Sequence, residues 1–157
     1  MMRLIVTPIN QEFALEILNW NYEAPYDFYN MDTSNDSMNE LLENSYTVVL
    51  DEKDNLTGFF CTGTAAQVPA GEQVGAYKKD ALDIGLGMNP ELTGQGNGSL
   101  FLSFILEYLE GQSRDRAFRL TVASFNKRAI RLYEKFGFRE IFAFHRGEAE
   151  FIVMVRD

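Results

Sequence analysis

The segment SLFLSFILEYLEG, residues 99–111, constrains the chain most. At helical spacing Phe101, Ile105 and Tyr108 share one face, while Leu102, Leu106 and Leu109 share another. A helix apolar over so much of its circumference has to be covered by other elements. ALDIGLGM (81–88) before it and AFRLTVA (117–123) after it read as strands. Strand, helix and strand in succession point to an α/β sheet.

The rest of the chain fits that class. RLIVT (3–7) is a first strand, and NQEFALEILNW (10–20) places Phe13, Ile17 and Trp20 at helical spacing. SMNELLEN (37–44) is a second helix, with capping candidates between Ser34 and Ser37. YTVVLD (46–51) and LTGFFCTGT (56–64) are strands around the turn EKDN. AAQVPAGEQVGAYKKD (65–80) reads as loop from its composition. NKRAIRLYEKFG (126–137) is a helix with Asn126 as cap, a stripe of Ala129, Leu132, Tyr133 and Phe136, and Gly137 as stop. FREIFAFHR and AEFIVMVRD close the chain as two strands. The expected order is strand, two helices, three strands, helix, strand, helix, two strands: one α/β domain with a mixed sheet over residues 1–157.

Between ALDIGLGM and the apolar helix lies NPELTGQGNG, residues 89–98. A helix N-terminus carries unpaired N–H groups and about half a positive charge. Glycines let an anion approach the backbone and permit φ > 0. Phosphate binding and a plain glycine turn both fit these residues. A P-loop does not, since no Lys-Ser or Lys-Thr follows the last glycine. A Rossmann site needs G-x-G-x-x-G and an acid ending the next strand; here the spacing is G-x-G-x-G and the strand ends in VASFN. LDIGLG (82–87) resembles the first motif of S-adenosylmethionine-dependent methyltransferases. Asn89 stands where that motif has its third glycine, and only about seventy residues follow, short of what such a domain requires.

The formal charge of −9 argues against a nucleic-acid partner and is compatible with a cationic or amine substrate. No apolar stretch has the length of a membrane span, and MMRLIVTPIN lacks a signal-peptide core, so a cytoplasmic location is expected. Cys61, the single cysteine, sits in an apolar run and reads as a small buried filler. His145 has no partner motif and reads as structural, and no metal site is assigned.

Two motifs carry a family resemblance. GMNPELTGQGNGSLF (87–101) resembles the pyrophosphate loop of the GNAT acetyltransferase superfamily, Arg/Gln-x-x-Gly-x-Gly/Ala after a strand and an Asn/His-Pro turn. NKRAIRLYEKFGF (126–138) is similar to that family's later helix, Asn-x-x-Ala-x-x-Leu-Tyr-x-x-x-Gly-Phe, at every marked position. One departure stands out: Thr93 occupies the usual Arg/Gln position, with Gln95 nearby.

The resemblance implies an acetyl-CoA-dependent N-acetyltransferase in which an amine attacks the thioester directly. The acceptor would be a small molecule, an amino acid or a protein N-terminus. The alternative is a GNAT-like module that holds acyl-CoA without turnover. The strands ALDIGLGM and RLTVA would splay and take the pantetheine arm, with backbone groups of Leu86, Gly87 and Met88 bonding its amides. Backbone N–H groups of Gly94, Gln95, Gly96, Asn97, Gly98 and Ser99 would cradle the pyrophosphate. The Met88 N–H is the oxyanion candidate, and Tyr133 matches the proton donor to the departing thiolate. Asn126 matches a cofactor contact. Tyr133 also reads as a core aromatic and Asn126 as a cap. Thr121 and Ser124 lie where some relatives carry a basic Glu, so Asp83 is the candidate base, acting through a water; it also reads as an Asp facing solvent. Trp20, Tyr22, Pro25, Tyr26, Phe28 and Tyr29, interleaved with Glu23 and Asp27, would form the acceptor pocket, and they also read as loop packing. The late strands are candidates for a homodimer contact.

Overall fold

The structure, a computed structural model, describes residues 3–44, 46–112 and 116–157. Its elements are β1 (Ile5–Pro8), α1 (Gln11–Leu18), α2 (Asn35–Glu43), β2 (Thr47–Leu50), β3 (Leu56–Thr62), α3 (Pro69–Gln73), β4 (Leu82–Met88), α4 (Asn97–Gln112), β5 (Phe118–Ala123), α5 (Lys127–Lys135), β6 (Arg139–Arg146) and β7 (Ala149–Arg156). The strands hydrogen-bond in the order β1-β2-β3-β4-β5-β7-β6. Pairs β1–β2, β2–β3, β5–β7 and β6–β7 are antiparallel, and β4–β5 is parallel. The mixed α/β class agrees with the expectation from sequence, and so does the succession of elements along the chain apart from α3.

The chain forms two compact units, Met1–Cys61 with Leu86–Leu106, and Thr62–Gly85 with Glu107–Asp157. In the first, α1 begins where the Asn10 side chain accepts the Phe13 N–H at 2.8 Å, and α2 where Ser34 accepts from Ser37 at 3.2 Å. Such caps contribute about 1 kcal/mol each. α1 buries Ala14, Ile17 and Leu18 against Leu41, Val48, Leu50, Leu56 and Phe59, and Leu15 points outward. The helix ends at its C-cap Asn19, so Trp20 follows α1 rather than belonging to it; its indole stacks on Phe59 at 5.9 Å. Cys61 is buried, and Tyr46, whose hydroxyl bonds to it, has its pKa pushed up chiefly by burial. Thr57 falls at an irregularity of the β2–β3 ladder, and its buried hydroxyl has no hydrogen-bond partner among the described residues.

In the second unit β5 lies flat on β7 over six consecutive pairs, Phe118↔Arg156 to Ala123↔Phe151. The parallel ladder of β4 on β5 is only two pairs long, Leu82↔Phe118 and Asp83↔Arg119, in agreement with the expected splay. α5 is capped by Asn126, which accepts the Ala129 N–H at 3.1 Å, and Gly137 ends it at φ +93°. There the Phe138 N–H returns to the Tyr133 carbonyl, the left-handed stop that glycine permits.

Residues 65–80 are more ordered than their composition suggests. A 3-10 turn at Gly63–Ala66 leads into α3, whose Pro69 occupies the first helical position. A second difference is that α4 starts at Asn97, two residues before the apolar run. No described helix is long and apolar enough to cross a membrane.

Candidate active site

The first unit holds the glycine loop. β4 ends at Met88, and Asn89 turns the chain by accepting the Glu91 N–H on its side chain at 3.0 Å. Its own N–H donates to Thr57 O at 2.8 Å, and its amide to Leu56 O at 3.1 Å, which fixes the loop's root on β3. Pro90–Leu92 make one 3-10 turn, after which Gly94 and Gly96 take φ +73° and +81°. That left-handed region disfavours side chains. A Cβ on Gly96 would have no heavy atom within 4 Å, so the space beside that backbone is open. Asn97 and Gly98 already lie in the first turn of α4, whose leading N–H groups lack intrahelical acceptors, and Ser99 follows them. Open space, positive-φ glycines and a helix N-terminus together fit a pyrophosphate.

Three side chains of the loop are spent on the loop itself. Thr93 Oγ1 donates to Pro90 O at 2.9 Å, Gln95 Nε2 to Glu91 O at 2.8 Å, and Asn97 Nδ2 to Leu92 O at 3.1 Å. What the loop leaves available to an anion is therefore its backbone. No cation assists nearby in sequence: this unit contains Arg3 and Lys53 against twelve carboxylates, a formal charge of −10. The second unit, with twelve cations and eleven carboxylates, carries +1.

Alternation along β4 separates its backbone groups. The Leu82 N–H donates to Ala117 O on one side at 2.8 Å, and the Asn89 N–H to Thr57 O on the other. Even-numbered residues therefore direct their N–H groups to one edge of the strand and odd-numbered residues to the other. Of the three expected contacts, Leu86 and Met88 lie on the Leu82 edge, whereas Gly87 turns its N–H toward β3. Gly87 has a packing reason instead: a Cβ there would stand 2.4 Å from the Phe59 ring. Tyr22 donates its hydroxyl hydrogen to the Met88 carbonyl at 2.6 Å, and burial raises its pKa. Its N–H donates to Asn30 Oδ1 at 2.7 Å, closing the loop that carries Tyr26, Phe28 and Tyr29. In that loop Phe28 and Tyr29 meet edge to face at 5.3 Å, and Phe28 is exposed. Trp20 is partly committed to the core through Phe59.

Asp83, in the second unit, does not face solvent. It is buried and bidentate with Arg119, at 2.6 Å to Nε and 2.7 Å to Nη2, and accepts Gln67 Nε2 at 2.8 Å. Arg119 Nη1 donates to Lys79 O at 2.7 Å, and its guanidinium lies 5.2 Å from the centre of the Tyr77 ring. Both carboxylate oxygens accept from Arg119 or Gln67, so Asp83 is engaged as a buried ion-pair partner. Arg119 and Gln67 were not singled out from sequence. The available signal was an Arg within the apolar strand AFRLTVA and an Asp within ALDIGLGM, two charges in strands that otherwise read as buried. Tyr133 is buried on α5, with its ring 6.2 Å from Phe138, and Asn126 caps the same helix. Thr121 Oγ1 meets the Tyr77 hydroxyl at 2.8 Å. His145 is an exposed residue 3.9 Å from Glu150. Among the described residues, no three His, Cys, Asp or Glu side chains group as a metal site would require.

Comparison with known families identifies the class. The acetyltransferase (GNAT) family matches residues 12–138, and the chain belongs to that family. Its fold resembles a chimera of the spermidine N-acetyltransferase SpeG from Vibrio cholerae and hSSAT, at 22% identity and TM-score 0.70, covering 98% of this chain and 94% of that one. It also resembles a GNAT-family acetyltransferase from Bacillus anthracis at 15% identity and TM-score 0.67, covering 99% and 97%. An uncharacterized protein from Bacillus halodurans aligns at 15% identity and TM-score 0.79, covering 99% and 84%. No curated protein matches the chain. Membership implies acyl-CoA-dependent N-acetylation as the class of chemistry.

Proposed function

We propose that this chain transfers acetyl from acetyl-CoA to the amine of a small molecule, an amino acid or a protein N-terminus. The observation that carries the reading is the loop 93–98, with two positive-φ glycines opening a buried helix directly after β4. Bound there, acetyl-CoA supplies an acetyl group activated as a thioester. The chain's residues bind, orient and move protons. Backbone N–H groups of Gly94 to Ser99 hold the pyrophosphate. Leu86 and Met88 direct N–H groups to the edge of β4 that would meet the pantetheine arm, and the Met88 N–H stabilises charge on the carbonyl oxygen. The Tyr22 hydroxyl on Met88 O anchors the following peptide, Met88–Asn89, at the end of the same strand.

From the family motif, Tyr133 donates a proton to the leaving sulfur and Asn126 contacts the cofactor while capping α5. With Asp83 paired to Arg119, the amine proton leaves to solvent, so the rate rises with pH toward the amine's own pKa of about 10. The aromatic loop 22–29, with Glu23 and Asp27, suits an amine carrying an apolar body. The structural neighbours that acetylate spermidine are consistent with a small amine acceptor. An acyl-CoA-binding module without turnover is the second reading, favoured by the local engagement of Thr93 and of Asp83.

The test is thiol release from acetyl-CoA across a panel of amines, amino acids and N-terminal peptides. One acceptor class should release CoA, and Tyr133→Phe should slow it by about a hundredfold. CoA binding with no release over the panel would favour the binding module. No CoA binding would sink both readings.

A further inference from the structure

Residues 67–77 touch both strands at the point where they part. From this segment Gln67 Nε2 donates to Asp83 on β4 at 2.8 Å, while the Tyr77 hydroxyl joins Thr121 on β5 at 2.8 Å. The segment ties its own two ends together, because the Val68 N–H donates to the Tyr77 hydroxyl at 3.0 Å. The Tyr77 ring lies beneath Arg119, whose guanidinium is bound to Asp83. α3, in the middle of the segment, is seated on β6: a Cβ on Gly71 would stand 2.7 Å from the Phe144 ring, and Tyr77 meets Phe144 edge to face at 6.4 Å.

The ladder stops where these attachments sit. Its last pair is Asp83↔Arg119, the ion pair itself. The next rung of a parallel ladder would take the Thr121 N–H to the Ile84 carbonyl. That rung is not made, although both strands continue beyond it. β5 does not leave the sheet, since it pairs with β7 through Ala123. β4 is therefore the strand that departs. The next β4 residue on the Asp83 face is Gly85, which has no side chain to reach β5. The corresponding β5 residue, Thr121, is held by Tyr77 instead.

We propose that segment 67–77 is a strut that sets where β4 and β5 separate, with Gln67 and Tyr77 as its positioning residues. The ion pair closes the strands up to Asp83. The strut holds Asp83 and Thr121 at a spacing too wide for the next rung. Ladder formation is otherwise favourable, because it would satisfy a backbone donor and acceptor. Without the strut's two polar attachments, β4 zips one rung further onto β5. That narrows the gap assigned above to the pantetheine arm, so the consequence for acyl-CoA rests on the proposed function, whereas the strut itself does not.

The test uses the full chain carrying Gln67→Met and Tyr77→Phe, which removes both attachments and leaves the Asp83–Arg119 pair intact. Tyr77→Phe alone serves if the double variant does not fold. Two quantities are read: hydrogen exchange of the Thr121 amide by NMR, and CoA affinity by calorimetry. If the zipped form takes up about nine-tenths of the molecules, Thr121 exchange slows about tenfold and the apparent Kd for CoA rises about tenfold. The sign is diagnostic, because loss of a merely structural contact loosens the unit and speeds exchange. Faster or unchanged exchange at Thr121 overturns the strut. Slower exchange in a chain whose wild type binds no CoA upholds the strut and overturns the acetyltransferase reading instead.

Discussion

Asp83 and Arg119 face each other across the last rung of the parallel ladder, both buried, joined by two hydrogen bonds of 2.6 and 2.7 Å. Removing one partner strands the other charge in the interior. Arg119→Met should cost about 3–5 kcal/mol, whereas the apolar pair Asp83→Leu with Arg119→Met should recover most of that loss. Urea unfolding followed by circular dichroism decides it. A double variant no more stable than Arg119→Met alone would show that the pair is not an isolated charge problem.

Two glycines should respond differently to alanine. At Gly87 the new methyl meets the Phe59 ring at 2.4 Å, so overpacking should cost about 1–3 kcal/mol. At Gly96 there is open space but φ is +81°, so the cost should be about 1 kcal/mol, from backbone strain alone. Gly96→Ala should still weaken CoA binding, because relieving the strain re-aims the loop N–H groups. CoA titrations of both variants beside their melting curves separate packing from loop geometry.

Thr57→Val removes the one unpartnered hydroxyl among the described buried side chains at nearly constant shape. It should stabilise the chain by about 1 kcal/mol. An unchanged or lower urea midpoint would mean that the hydroxyl has a partner after all.

Salt should strengthen CoA binding. The unit that contains the glycine loop carries −10, and the loop has no cationic side chain of its own to offer the phosphates of the proposed cofactor. Ionic strength screens repulsion beyond a Debye length of about 10 Å at 0.1 M. The Kd for CoA should therefore fall between low and moderate salt, the reverse of a loop that relies on Arg. Weaker binding in salt would point to a cation from elsewhere in the chain.

Asp32 should couple the start of α2 to pH. Hydrogen bonding by the Ser34 side chain, the Ser37 hydroxyl and the Ser34 N–H pulls its pKa from 3.8 to about 2. Because the folded value is depressed, its contribution is complete above the unfolded pKa and is lost as pH falls from about 4 to about 2. Asp32→Ala should therefore be less stable than wild type at neutral pH, with the gap closing as pH drops through that window. Trp20, the only tryptophan and stacked on Phe59, reports the unfolding of this unit by fluorescence.

Periodicity and punctuation made much of this fold legible. Asn126 and Gly137 bound α5 as cap and stop residues do, and the apolar faces of residues 101–109 announced a covered helix. The glycine loop was legible because positive φ leaves its mark on residue type. Residues 65–80 were not, since α3 has five residues and its place depends on Phe144, more than seventy positions away. The fates of Asp83 and Tyr22 were hidden for the same reason. An aspartate written beside apolar residues does not declare whether an arginine waits on the neighbouring strand, and a tyrosine among aromatics does not declare a carbonyl 66 residues on.

Cys61 is the chain's single thiol, and it is sealed in the core beside Tyr46. The reaction proposed here liberates a thiol at each turnover. A protein surface with accessible cysteine would trap that product as a mixed disulfide and become thiolated by its own chemistry under oxidising conditions. This chain presents no sulfhydryl for exchange, so its activity should be indifferent to the redox state of the surrounding CoA pool.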